Sequence, residues 1–200
     1  MATISRLGHV GLYCADLDRQ VAFYRDVLGL TVTDEDPEHG IAFLSARPDE
    51  EHHELLLVEG RNVGPEAQVV QQVSFRCASL EDVIEYRQRL LAEGVRLDVV
   101  ANHGNAIGVY FFDPEGNRCE VYWATGIPAR QPFVLPADLD AEPEEVLRAV
   151  RDAVARHGTT GVLAGPGDLG SGDAGPGDLG SDDAGPGDLG SGGPDQGSGR

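Results

Sequence analysis

Apolar residues recur along the chain with two spacings, and these spacings predict where helices and strands lie. The helical spacing occurs from about residue 17 to residue 28, and Gly29 follows as a stop. It occurs again after Ser79, which forms a capping box with Asp82 three residues later, and this second helix should end at Gly94. The pattern therefore predicts two amphipathic helices separated by about fifty residues.

The segments that flank each helix change to the alternating period of strands, and they resemble one another between the two halves. The matched segments are residues 9–17 with 72–80, 40–44 with 106–110, and 53–57 with 119–123. The chain thus contains two copies of a βαβββ unit, over about residues 3–59 and 69–124. We predict an α+β fold in which the two paired modules form a curved mixed sheet around a cleft.

The remainder of the chain divides into two parts. Residues 127–136 are rich in proline and predict an extended strap, and a helix should run from Pro143 to Arg156, against the domain or against a second subunit. A Gly, Pro and Asp repeat then predicts disorder, because it offers too few apolar residues to form a core. A calcium-binding repeat is the alternative interpretation. The predicted organisation is a domain over 1–126, a strap and helix over 127–158, and a disordered tail over 159–200.

Charge and cysteine usage exclude several classes of function. The formal net charge of −19 argues against a nucleic-acid partner, because phosphate binding needs clustered cations. No apolar stretch approaches the roughly 20 residues of a membrane span, so we expect no membrane association and a cytoplasmic location. Cys14, Cys77 and Cys119 lack paired spacing, which favours buried reduced thiols.

The internal repeat also predicts which polar residues share the cleft. Two units related by a pseudo-twofold place matched residues opposite each other, so His9 should face Gln72 and Glu54 should face Glu120. Glu120 stands within the apolar stretch Cys119–Trp123, where an unpaired charge is costly. An imidazole, an amide and two carboxylates around one hollow make a candidate site for a divalent metal.

These residues resemble the vicinal oxygen chelate superfamily, which includes glyoxalase I, fosfomycin-resistance thiol transferases and type I extradiol dioxygenases. The resemblance covers about residues 4–126 and rests on His9, the paired modules and the stretch Asp113-Pro114-Glu115-Gly116-Asn117 that leads to Glu120. Within the superfamily, His52-His53-Glu54-Leu55, Asn102-His103-Gly104-Asn105 and Tyr110 are most similar to the extradiol dioxygenases.

The resemblance implies a reaction and a role for each residue. His9, Gln72 and Glu120 would bind Fe(II), or alternatively Mn(II), and the substrates would be a catecholic aromatic compound and O2. His53 would be the acid/base, while His103 and Tyr110 would hold the bound substrate and oxygen. Subunit pairing is common in the superfamily, so a homodimer is expected by analogy.

The sequence departs from the extradiol pattern at Gln72, where that family has a second histidine ligand. Either Gln72 binds weakly, or Glu54 takes its place, or the site binds no iron. Neighbours on a strand point to opposite faces, so we expect only one of His53 and Glu54 to line the cleft, and we choose His53. A glyoxalase-like metal-dependent lyase or isomerase and a drug-binding protein of the bleomycin-resistance kind are the alternative functions.

Overall fold

The order of secondary-structure elements repeats once along the chain. A computed structural model describes residues 5–65, 67, 70–165 and 169. The strands are β1 Val10–Cys14, β2 Thr31–Asp36, β3 Ile41–Ser45, β4 Leu55–Glu59, β5 Val73–Arg76, β6 Leu97–Asn102, β7 Ala106–Phe112, β8 Arg118–Ala124, β9 Phe133–Pro136 and β10 Val162–Leu163. The helices are α1 Leu17–Ala22, α2 Leu80–Ala92 and α3 Pro143–His157. The order β1-α1-β2-β3-β4 recurs as β5-α2-β6-β7-β8, which confirms the two predicted units.

The two predicted helices form, but the first one changes its winding. The side chain of Asp16 caps α1 by accepting a hydrogen bond from the backbone N–H of Arg19, and a π-helical stretch, Phe23–Val27, continues it. The predicted extent of the helix, from about residue 17 to residue 28, is confirmed, and its second half is π-helical rather than α-helical. The predicted capping box of α2 is present, with Ser79 and Asp82 each accepting a bond from the other's backbone N–H.

The strands form two mixed sheets with the same internal order. The first sheet runs β1-β4-β3-β2, and the second runs β10-β9-β6-β7-β8-β5. β1 pairs parallel with β4, and β5 pairs parallel with β8, so the opening strand of each unit lies beside its closing strand. The predicted α+β fold is confirmed, with two sheets in place of one continuous curved sheet.

Strand pairing corrects one detail of the match between the units. Val10 is opposite Leu55 in the first sheet, and Val73 is opposite Cys119 in the second. When the two opening strands are superposed at these valines, Glu120 corresponds to Leu56. Matching Glu54 with Glu120 was therefore wrong by two residues, because similarity between short strands does not fix their register as backbone pairing does.

The loop between β7 and β8 joins the two modules through buried carboxylates. Asp113 accepts hydrogen bonds from the Tyr24 hydroxyl at 2.9 Å and from the Gln20 amide at 3.1 Å, both on the first helix. Glu115 accepts from the backbone N–H groups of Ala15 and Asp16 and forms a buried ion pair with Arg61. The loop is the predicted turn, but its acidic residues also tie one unit to the other.

A single hydrophobic cluster contains residues of both modules and of α3. Leu55, Val121 and Val150 are examples from the three parts, and each is almost completely buried. Packing of α3 against the domain agrees with the first of the two predicted placements of this helix. All three cysteines are free thiols, as predicted. Cys14 and Cys119 are buried as expected, but Cys77 is only half-buried, so the prediction of burial was wrong for Cys77.

The chain after the second module is more ordered than its composition suggests. The predicted strap contains β9, which pairs with β6, and β10 pairs parallel with β9. A disordered tail beginning at residue 159 was therefore wrong for residues 159–165, where Val162 and Leu163 extend the sheet. The repeat at 166–168 and 170–200 lies outside the described residues. In the described part of the chain, no helix is both long and apolar enough to span a membrane.

Candidate functional site

A cavity of about 940 Å³ lies between the two modules, along the edges formed by β1 and β5. Its wall contains His9 and Glu54 from the first module and Gln72 and Ser74 from the second. His9 and Gln72 come from the matched ends of the two opening strands. The pair predicted to face each other therefore lines one common hollow.

Glu120 is the buried acid of the second module. The residue is only 5% exposed, and its Oε2 accepts hydrogen bonds from Gln72 Nε2 at 3.1 Å and from Ser74 Oγ at 2.6 Å. Gly108 makes room for it on β7, because a Cβ atom at that position would collide with Glu120 Oε1. A carboxylate oxygen surrounded by neutral donors is suited to binding a divalent cation.

Gln72 links this acid to a cation that the sequence analysis missed. Its Oε1 accepts a hydrogen bond from Arg118 NH1 at 3.2 Å, while Arg118 Nε donates to Asp98 at 2.7 Å. The Arg118 guanidinium also lies 4.0 Å from the centre of the Tyr110 ring. The sequence signal that could have identified Arg118 was its position. Arg118 precedes Glu120 by two residues, so the two side chains lie on the same face of the strand.

His103 and Tyr110 are brought into direct contact. His103 Nε2 lies 2.9 Å from the Tyr110 hydroxyl, and Tyr110 is opposite Glu120 in the pairing of β7 with β8. Burial raises the pKa of Tyr110, and the negative charge of Glu120 raises it further. Tyr110 is therefore a neutral phenol at neutral pH and a hydrogen-bonding group rather than a base.

A second group of aromatic and imidazole rings lies on the first module. The rings of His9 and His53 have their centres 4.4 Å apart, and Phe43 lies 5.1 Å from His53. His52 Nδ1 is 3.0 Å from His53 Nδ1. Burial lowers the pKa of His53, and positive charge on His9 or His52 lowers it further. His53 is therefore a neutral imidazole at neutral pH, which is the form that accepts a proton.

His53 and Glu54, the two candidates for lining the cleft, differ in their positions and contacts. Both lie before β4 begins at Leu55, so the alternation of a strand does not apply to them. Burial alone would raise the pKa of Glu54, but hydrogen bonds from the Arg47 guanidinium and the Ala46 N–H outweigh it and lower the pKa. Glu54, paired with Arg47, lies in the cavity wall. His53 lies against His9 and is not among the wall residues, so the expectation that His53 rather than Glu54 lines the cleft was wrong.

The predicted site residues therefore form two groups, one around His9 and His53 and one around Gln72, Glu120, Tyr110 and His103. Across the described residues, no three His, Cys, Asp or Glu side chains come close enough to hold a metal ion. The donor types nevertheless fit a divalent cation, because His9 supplies an imidazole and Glu120 a buried carboxylate whose hydrogen-bond donors, Gln72 and Ser74, are neutral. Gln72 adds an amide oxygen, which is a weaker donor than a second imidazole.

Comparison with known proteins identifies a family for most of the folded chain. The family described as the Glyoxalase/Bleomycin resistance protein/Dioxygenase superfamily matches residues 6–121. This stretch contains both βαβββ units up to the middle of β8. It ends before the strap, α3 and the last two strands.

The chain is similar to several proteins that are named as dioxygenases. It is 30% identical over 125 residues to the manganese-dependent 2,3-dihydroxybiphenyl 1,2-dioxygenase of Geobacillus genomosp. 3, over 61% of this chain and 38% of that protein. It is 31% identical over 126 residues to biphenyl-2,3-diol 1,2-dioxygenase 3 of Rhodococcus globerulus, over 60% of this chain and 64% of that protein. The chain therefore spans less than two thirds of the length of these relatives.

Solved structures of other activities share the fold. Lactoylglutathione lyase from Agrobacterium tumefaciens is 26% identical with a TM-score of 0.50, and the match covers 61% of this chain and 96% of that one. The fosfomycin resistance protein FosX from Listeria monocytogenes is 22% identical with a TM-score of 0.51, over 62% of this chain and 94% of that one. The fold is thus common to proteins of different chemistry.

Proposed function

Because the chain belongs to the glyoxalase, bleomycin resistance protein and dioxygenase superfamily, we propose that it is a metal-dependent, extradiol-type dioxygenase that cleaves a catecholic ring with O2. The observation that carries the proposal is the buried Glu120 carboxylate, which accepts hydrogen bonds from Gln72 and Ser74. These two neutral residues belong to the wall of the cavity that also contains His9. The similarity to two biphenyl-diol dioxygenases supports this reaction over the others of the superfamily.

His9 and Glu120 would hold the metal from the two modules, with Gln72 as the third protein ligand. Fe(II) is the expected ion, and Mn(II) is the alternative because one relative is named for its manganese dependence. The bound ion would supply the redox path between the catecholate and O2 and hold both reactants together. A ligand set with one imidazole in place of two predicts weaker iron binding than the extradiol pattern gives.

The other predicted residues would act on protons and on substrate orientation. His53 lies against His9, so its imidazole is placed to accept a proton from a catechol hydroxyl and to return it later in the reaction. Tyr110 and His103 form a hydrogen-bonded pair next to Glu120, and the Tyr110 oxygen would accept a hydrogen bond from a hydroxyl of the bound catechol. The apolar part of the cavity wall, which includes Leu28 and Phe75, would hold the aromatic ring.

Anaerobic reconstitution tests the proposal. The full chain is loaded with Fe(II) or Mn(II), exposed to O2 and a panel of catechols, and followed by oxygen uptake and by the visible absorbance of the ring-fission product. We expect both signals with at least one metal, and a loss of both in His9→Ala and Glu120→Gln. His39→Ala is the matched control, since His39 pairs with Asp36 away from the cleft.

Two other results would replace the proposal with a different function. Stoichiometric metal binding without oxygen uptake, together with turnover of a glutathione hemithioacetal, would identify a glyoxalase-like lyase. Tight binding of an aromatic drug without any metal would identify a sequestering protein of the bleomycin-resistance kind. Either result contradicts the dioxygenase assignment while leaving the family unchanged.

A further inference from the structure

The chain that follows the two modules packs against the turn that carries His103. β9 pairs antiparallel with β6, with Ala101 opposite Pro136 and Asn102 opposite Leu135, directly before this turn. The family match ends at residue 121, so the strap, β9 and α3 lie outside it. This C-terminal segment, residues 127–165, is thus an addition to the matched fold that contacts a candidate site residue.

We propose that the C-terminal segment is a positioning element for the active site, and that it fixes which ring nitrogen of His103 carries the proton. Gln131 is the positioning residue that fastens the segment to the turn. The inference rests on the proposed function, because the orientation of His103 matters for turnover only if the cleft is the active site.

The contacts of His103 determine its tautomer. His103 Nδ1 lies 2.9 Å from the backbone carbonyl oxygen of Phe133 on β9. A carbonyl oxygen can only accept, so Nδ1 must carry the hydrogen. In the neutral ring the other nitrogen is then an acceptor, and it lies 2.9 Å from the Tyr110 hydroxyl. Nε2 is therefore an acceptor for the Tyr110 hydroxyl, which also forms a hydrogen bond with Glu120. The C-terminal segment thus determines which ring nitrogen of His103 faces Tyr110 as an acceptor.

Gln131 ties the two segments together with one side chain. Its Nε2 donates to the backbone carbonyl of His103 at 3.0 Å and to the side-chain oxygen of Asn105 at 3.3 Å. Its Oε1 accepts from the backbone N–H of Phe133 at 3.1 Å. The same residue thus holds the turn and the strand whose carbonyl reaches His103, so its removal should loosen that hydrogen bond.

Close packing behind the turn supports this role. Gly104 has a φ of +70°, and a Cβ atom there would collide with Ala129 Cβ and lie 3.1 Å from Val154 Cγ2. Ala129 belongs to the strap and Val154 to α3, while Phe133 is completely buried. The strap, β9 and α3 therefore converge on the turn, which leaves His103 little freedom to move away from Tyr110.

Nuclear magnetic resonance of ¹⁵N-histidine-labelled full-length protein tests the inference without metal or substrate. At about pH 8 an ordinary imidazole is neutral, and long-range ¹H–¹⁵N spectra distinguish a protonated from a bare ring nitrogen. We expect His103, assigned by its loss in His103→Asn, to be protonated at Nδ1 alone. In Gln131→Ala and Gln131→Glu, which both lack the amide donor, we expect a mixture of tautomers. Gln88→Ala, on the exposed face of α2, should match the wild type.

A wild-type His103 that is protonated at Nε2, or a Gln131→Ala spectrum identical to the wild type, would overturn the inference. If the protein cleaves catechols, Gln131→Ala should lower kcat by about tenfold with a smaller change in KM, since misplacement of a positioned group slows the chemical step more than binding. If the protein has no such activity but His103 keeps the Nδ1–H tautomer and loses it in Gln131→Ala, the proposed function fails and the positioning role stands.

Discussion

Replacement of Asp113 by alanine should lower the free energy of unfolding, because the carboxylate of Asp113 connects the two modules. This carboxylate lies in the loop between β7 and β8, the strands that carry Tyr110 and Glu120. It accepts five hydrogen bonds, from Tyr24, Gln20, the N–H of Glu115, and both the backbone and the side chain of Asn117. Asp113→Ala removes the acceptor and leaves all of these donors in place.

The size of the effect follows from how deeply the donors are buried. Tyr24 and Gln20 are both completely buried, so their donors cannot turn to solvent. An unsatisfied buried donor costs about 1–3 kcal/mol, so the two together predict a loss of about 4 kcal/mol in the free energy of unfolding. For a chain of this size, such a loss corresponds to a Tm about 8–16 °C lower.

Thermal and urea unfolding followed by circular dichroism measure this loss. Asp152→Ala is the matched control, because Asp152 is exposed on α3, and it should change stability by less than about 0.5 kcal/mol. A Tm for Asp113→Ala within about 2 °C of the wild type would mean that the loop carboxylate does not hold the modules together.

Two further changes test the site and the core. Gly108→Ala places a Cβ atom against the Glu120 carboxylate and should abolish metal binding while the fold is retained. Gly11→Ala is the matched control on a strand, because the atom nearest to its Cβ would be Leu56 Cδ2 at 3.6 Å, and this variant should bind metal normally. Burial raises the pKa of all three thiols, so at about pH 8 they should react with iodoacetamide far more slowly in the native than in the denatured protein, and equal rates would contradict their placement. These thiols are Cys14 with a pKa of about 12, Cys77 with about 11 and Cys119 with about 12.

The repeated pattern in the sequence was sufficient to predict the fold, because each unit carries its own periodicity and helix signals. The capping box of Ser79 and Asp82 and the turn at Gly116 are local features, and both occur where the sequence places them. The register of the strands was harder to predict from the sequence. Glu54 was matched with Glu120 although Leu56 corresponds to it, since register depends on backbone pairing across the sheet.

The surroundings of the site residues depended on long-range contacts that no local pattern encodes. Arg118 is linked to Glu120 through Gln72, and Phe133 reaches His103 because β9 pairs with β6. The strand formed by residues 162–163 was likewise missed. Its two apolar residues stand within a Gly-rich sequence, and they become a strand only by adding to the free edge of β9.

Metal affinity under anaerobic conditions tests the central claim, that side chains of the two modules bind one ion. Equilibrium titration of the full chain with Fe(II) or Mn(II) should give one ion per chain, with at least about tenfold weaker binding in both His9→Ala and Glu120→Gln. Gln72→His should strengthen Fe(II) binding, and His39→Ala should leave the affinity unchanged. If either His9→Ala or Glu120→Gln bound the metal as tightly as the wild type, these two residues would not share an ion, and the account of the site would be contradicted.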